Sequence, residues 1–235
     1  MTTTIVAFDS ESKRIGMALA TGTLAVGGIH FYRIMPGVGA VVHIANGDSD
    51  LAASGYQMLK QGASSSKTLQ AIRDDDSHPE YRQVGVLDKD GNVAAYTGNK
   101  TQQWASHVSG QNYVAMGNLV VGNEVVDAMA STFESTAGMR LEERLIRALE
   151  AERDAGGQPK PQRSSFLLVY DPESVTTPLL DLRVDAHREP VGELRRLFEM
   201  YRPYVPFYYR LRPKHPDQDW REELGELDKS VASKI

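Results

Sequence analysis

The chain has 235 residues, 41% hydrophobic and 24% charged, with a formal net charge of -5, a balance that gives phosphate backbones and anionic lipid no general attraction. It contains no cysteine, which removes disulfides, thiolate metal sites and a cysteine nucleophile. With no run near the ~18 apolar residues of a membrane span and no signal-peptide pattern at its start, the expectation is a cytoplasmic protein with neither nucleic-acid nor membrane partners.

Periodicity places strands first. Residues 3–8, 14–20 and 38–45 are short, apolar, β-prone runs separated by Gly, Pro and charged turns. A helix is predicted to start at Asp48, a good N-cap, and to run to Gly62, with a second over Ser65 to Arg73. Asp90-Gly91 between 82–88 and 92–97 is a strong hairpin signal. A strand at 113–117 leads to a helix from Asn123 to Phe133. The next helix, 141–153, carries Leu141, Leu145, Ile146 and Leu149 on one face and a Glu143–Arg147 pair on the other, with Gly156-Gly157 as its stop. Strands at 165–170 and 179–185 and a helix over 191–201 complete the series. Runs of strands followed by helix pairs predict an α+β fold, with antiparallel sheets and helices packed outside them.

The start of the chain, Met1-Thr2-Thr3-Thr4-Ile5-Val6, carries a chemical possibility. Removing Met1 makes Thr2 the N-terminus, and such a threonine holds a nucleophile and a base in one residue: its hydroxyl attacks and its α-amine takes the proton. The alternative is an edge strand that favours threonine. His43 offers an imidazole that titrates near neutral pH, either as a general acid or base or as a packed core residue. The six histidines, at 30, 43, 78, 107, 187 and 215, show no metal-ligand spacing, so neither a metal nor a cofactor is expected. Asp74-Asp75-Asp76 reads as a solvated loop, and the glycines around Gly37-Val38-Gly39 fall short of a nucleotide-binding fingerprint.

The stretches RIGMALAT, LAVGG, PGVGAV, RQVGVLDKDGNVAAYTG, GNLVVG, LEERLIRALEAERDAGG and DLRVDAHREPVGELRRLFE resemble the bacterial DUF1028 family, which is similar to the N-terminal-nucleophile (Ntn) hydrolases, over about residues 2–200. The resemblance implies a four-layer αββα sandwich over residues 1–200, followed by an extension at 201–235. It also implies catalytic roles for Thr2 as nucleophile, for Arg33 as a counterpart of the proteasome lysine and for Gly47, whose N–H meets a developing oxyanion. Gly117, Asn118 and Asp48 are the implied substrate-binding residues. The chain departs from the family at His43-Ile44, where relatives carry Thr-Gln, and at Gln162-Arg163-Ser164. His43 is therefore expected to face the pocket bounded by Thr2, Arg33, Gly47 and Asn118. Asp185 and His187 match a family Asp and His, and fit a turn or N-cap equally well.

The implied activity is hydrolysis of an amide-like or other carbonyl-containing small metabolite. One alternative is a non-hydrolytic isomerase, cyclase or lyase using His43, and another is a non-catalytic binding or scaffold protein on the same fold. From Arg188 to Lys214, seven basic residues face three acidic ones, interleaved with Tyr201, Tyr204, Phe207, Tyr208 and Tyr209, and the prolines at 203, 206, 213 and 216 favour extended chain. The proline-bearing part beyond the helix over 191–201 reads as an extended, non-helical arm that joins copies of the chain into a homo-oligomer.

Overall fold

The computed structural model describes residues 1–29, 31–173 and 177–232; His30, one of the histidines above, lies outside them. Ten strands among the described residues form two antiparallel sheets. β1 (Thr2–Phe8), β2 (Ile15–Thr21), β7 (Ala105–Gly110), β8 (Tyr113–Asn118), β9 (Ser164–Tyr170) and β10 (Leu180–Val184) make a six-stranded sheet in the order β10-β9-β2-β1-β8-β7. β3 (Tyr32–Met35), β4 (Gly39–Ile44), β5 (Gln83–Asp88) and β6 (Val93–Thr97) make a four-stranded sheet in that order. The helices are α1 (Ser49–Lys60), α2 (Ser65–Asp75), α3 (Glu124–Ser135), α4 (Leu141–Asp154), α5 (Pro190–Tyr201), α6 (Arg212–Lys214) and α7 (Arg221–Ala232).

Alternation along each strand decides which layer receives each side chain. In β1, Ile5 and Ala7 join Leu145, Leu149, Met129 and Leu194 in a cluster against α3, α4 and α5, whereas Val6 joins Met17, Val42, Ile44 and Met116 between the sheets. In β4, Val42 and Ile44 face the six-stranded sheet, while Val41 packs with Ala52, Leu59 and Ile72 under α1 and α2. Burial of each large apolar side chain contributes about 1.5–3 kcal/mol, so α4 is held mainly by Leu141, Leu145, Ile146 and Leu149. The Glu143–Arg147 pair forms on its outer face at 2.6 Å, and the chain leaves the helix through Gly156 and Gly157, both at positive φ.

The predicted hairpin is closed by Gly91 at φ 86 and by Asp88, whose carboxylate accepts from the backbone N–H groups of Asp90 and Asn92 and from the Asn92 side chain. Asp88 also accepts the N–H of Ser65, tying the hairpin to the start of α2 at 3.1 Å. Periodicity marks neither β3 nor β7. β3 is four residues long, and β7 is an edge strand whose mostly half-buried ASHVSG sequence lacks an apolar face.

The extended arm is not what forms. After α5 the chain continues as a 3-10 turn (Arg202–Tyr204), a π-helical turn (Phe207–Leu211) and α6, then reaches α7. Pro203 sits in the first turn of its segment, where no backbone N–H is needed, so proline does not break the helix there. Tyr201, Tyr204 and Tyr208 stack in succession, and the Tyr204 hydroxyl donates to Asp228 of α7 at 2.7 Å. Val205 and Tyr209 pack back on the cluster that holds Phe198. Among the described residues no helix is long and apolar enough to cross a membrane, and no group of His, Asp and Glu could hold a metal ion.

Candidate functional site

A cleft of about 250 Å³ opens between the sheets at the start of β1. Register pairs Thr2 with Thr21 on β2 and with Asn118 on β8, and alternation turns Thr2 and Asn118 toward the four-stranded sheet. One wall is therefore Thr2, Thr23 and Asn118. The facing wall is the turn Ala45-Asn46-Gly47 with Phe31, and Tyr81 and Gln102 stand at the side. Among the described lining residues there is no Asp, Glu, Lys, Arg or His.

The turn is built to an unusual shape. Ala45 and Asn46 both lie in the left-handed region, at φ 56 and 63, where non-glycine residues are uncommon. A Cβ on Gly47 would stand 2.1 Å from the His43 carbonyl oxygen and 3.0 Å from Phe31 Cβ, so only glycine fits. Arg82 clamps the turn by donating to the Asn46 carbonyl while its Nε donates to Asp76 at 3.0 Å. The backbone N–H groups of Asn46 and Gly47 donate to no described residue, which leaves two donors at the cleft wall beside the positive end of α1.

Asp48 closes the turn as the N-cap of α1, accepting from Asp50 N at 2.9 Å and Leu51 N at 3.1 Å. The Leu51 N–H, with that of Asp50 and against a burial penalty, holds its carboxyl below the usual range. Its own N–H donates to His43 Nδ1 at 3.0 Å. Asp48 is thus a capping residue and does not line the cleft.

His43 is not in the cleft, contrary to the sequence expectation. It follows Val41 on the face of β4 covered by α1 and α2, is fully buried, and leaves Ile44 to face the cleft. Because Nδ1 accepts, the ring proton of the neutral form sits on Nε2, which lies 3.8 Å from Asp76 and makes no hydrogen bond. Burial, and then the Arg82 charge, push its pKa down to about 4 against the pull of Asp76 and Asp48. The period-2 alternation that places Val42 between the sheets puts His43 outside them.

Arg33 occupies the same outer side of the neighbouring strand β3, between Tyr32 and Ile34, which face inward, and its Nη1 donates to the Tyr32 carbonyl at 2.8 Å. It does not line the cleft. Gly117 also faces away, toward α3, where a Cβ would meet Val126 at 2.9 Å; it reaches the site only through its carbonyl, which accepts from Gln83 Nε2. Of the seven expected residues, Thr2, Gly47 and Asn118 meet at the cleft. Thr23, Phe31, Asn46, Tyr81 and Gln102 join them without any motif to announce them.

At the N-terminus, Thr2 Oγ1 is 3.2 Å from Thr21 Oγ1, and the Thr21 hydroxyl donates to the Met1 carbonyl at 2.5 Å. Burial lowers the Met1 amine below its usual pKa. The Met1 thioether lies over Gly22, whose missing Cβ would otherwise stand 2.3 Å from Met1 Cε.

On the outer side of the same strand, Glu152 of α4 is fully buried against Thr3. Burial pushes its carboxyl up to about 7, against the hydrogen bond from Gln162 at 2.6 Å.

A family model described as a family of unknown function, DUF1028, matches residues 2–194. No curated protein matches the chain. Among solved structures, the crystal structure of protein SPO2555 from Silicibacter pomeroyi, itself described under DUF1028, is similar at 31% identity, with a TM-score of 0.76 over 85% of this chain and 88% of that one. With most of its length matched in sequence and in shape, the chain belongs to the DUF1028 family.

Proposed function

We propose that the two sheets and their outer helices form the four-layer αββα sandwich of the Ntn hydrolases, and that the protein hydrolyses a small amide-like metabolite with Thr2 as nucleophile. The observation that carries this reading is the placement of Thr2 across a cleft from the free N–H groups of Asn46 and Gly47. Once the Met1–Thr2 peptide bond is cut, the Thr2 amine takes the Oγ1 proton as Oγ1 attacks the carbonyl carbon. The carbonyl oxygen gains the negative charge, which the two N–H groups of the turn hold. Collapse expels the leaving amine with the proton from the Thr2 ammonium, and water then cleaves the acyl ester. With Met1 attached, the Thr2 nitrogen is an amide and takes no proton.

The test is intact mass of the protein from its host, followed by assay of ammonia or amine release from a panel of small carboxamides. Chains beginning at Thr2 turn over, and chains retaining Met1 or carrying Thr2→Ala do not. Equal rates from Met1-retaining and processed chains would sink the reading. A second reading, a binding protein without turnover, is favoured by the seating of Met1 over Gly22 and its bond from Thr21, and turnover by chains beginning at Thr2 decides between the two.

A further inference from the structure

Gln83, the first residue of β5, has no exposed surface and its side chain lies between the sheets. Its Nε2 is 2.9 Å from the Gly117 carbonyl and 3.1 Å from both the Ser106 carbonyl and Thr97 Oγ1. Main-chain carbonyls only accept, so the end of the amide that faces them is the nitrogen, whatever ambiguity an isolated glutamine carries. Oε1 therefore points the other way, at Asn118 Nδ2, 3.0 Å distant. An acceptor in that position requires Asn118 to turn its NH₂ toward Gln83 and its oxygen away. Asn118 Oδ1 accepts from no described residue, and it is not among the sealed polar atoms, so it opens into the cleft. Two carbonyls on β7 and β8 thus decide, through two amides, which pole of Asn118 is left free beside Thr2.

That free pole is an acceptor with its carbonyl direction locked. Among the described lining residues no side-chain carboxylate balances an ammonium and no side-chain cation balances an anion, so the group that matches Oδ1 is an uncharged donor, and an N–H is the donor that an amide has and its ester lacks. We propose that Asn118 is the specificity-determining residue of the cleft. Its Oδ1 accepts an N–H from a neutral ligand, which makes carboxamides and ureides, rather than esters, the ligand class. This deepens the hydrolase reading and rests on it for the position of attack. An ester places oxygen lone pairs where the amide places its N–H, and a buried acceptor facing an acceptor loses its partner.

The experiment uses N-methylbutyramide and methyl butyrate, which differ by N–H for O, titrated into the full chain carrying Thr2→Ala so that neither is consumed. The amide is expected to bind about tenfold tighter, and Asn118→Ala to bring the pair to near parity. Asn118→Ala also strands Gln83 Oε1. A second measurement on the otherwise unaltered Thr2→Ala chain is therefore the Asn118 side-chain amide NMR signal, which shifts with the amide and stays still with the ester. Equal binding, ester preference, no binding of either compound at millimolar concentration, or a preference that survives Asn118→Ala overturns the assignment. Failure of the hydrolase reading looks different: a chain beginning at Thr2 turns over neither compound while the binding preference remains.

Discussion

His43 Nδ1 accepts the backbone N–H of Asp48 at 3.0 Å, across the turn that joins β4 to α1. This bond closes the Ala45-Asn46-Gly47 turn from beneath, so a residue outside the cleft determines the shape of one of its walls. It also uses the imidazole as a fixed neutral acceptor rather than as a proton carrier.

Replacing His43 by Ala leaves a buried void and an unpaired Asp48 N–H. A loss of about 2–4 kcal/mol in unfolding free energy is expected, read by denaturant titration. The pH dependence of turnover in the surviving folded protein should match that of the parent. A neutral-pH inflection that disappears with His43 would restore a catalytic role.

His43 and Glu152 act on stability with opposite signs. His43 titrates at about 4 when folded against 6.5 when unfolded, so the unfolded chain binds the extra proton between those values, and its share of stability is lost as pH falls through that window. Glu152 titrates at about 7 when folded against 4.5, so the folded chain keeps the extra proton and stability falls as pH rises from 4.5 to 7. Thermal melts of Glu152→Gln should therefore show a steeper rise in Tm between pH 5 and 7 than the parent shows. A parallel pair of curves would place the Glu152 pKa near its unfolded value.

Gly47→Ala forces a Cβ to within 2.1 Å of the His43 carbonyl, which the backbone must relieve by moving the turn. On the hydrolase reading, displacing those N–H donors lowers kcat by roughly 10²–10³ with less effect on KM. Gly117→Ala meets Val126 and Val120 instead, and its cost should appear in stability. Measuring Tm and kcat on both variants separates the oxyanion wall from the packing glycine.

Asp88→Ala removes the acceptor shared by Ser65, Asp90 and Asn92, and leaves the Ser65 N–H without it inside the fold. A loss of about 1–3 kcal/mol is expected, seen as a lower denaturation midpoint. Faster hydrogen exchange should be confined to the hairpin and the start of α2. Uniform exchange throughout the chain would mean that Asp88 is not a local clasp.

The sequence by itself determined the antiparallel sheets, the Asp48 cap, the Asp90-Gly91 hairpin and the apolar face of α4, because each depends on a period or turn signal within about a dozen residues. It also singled out Thr2, Gly47 and Asn118, through the resemblance of the surrounding stretches. Which face of β4 carries His43 was decided only by the tertiary structure. A strand buried on both sides shows no polar alternation, so the buried run Gly39–Ile44 is equally consistent with either assignment, and the packing of α1 and α2 made the choice. The same holds for Gln83, Arg82 and Tyr81, which reach the site from residues distant in sequence. It holds as well for the helical extension, where docking of Val205, Tyr209 and Tyr204 outweighed the proline signal. Local patterns set the elements, and long-range packing set which atoms of those elements meet in the cleft.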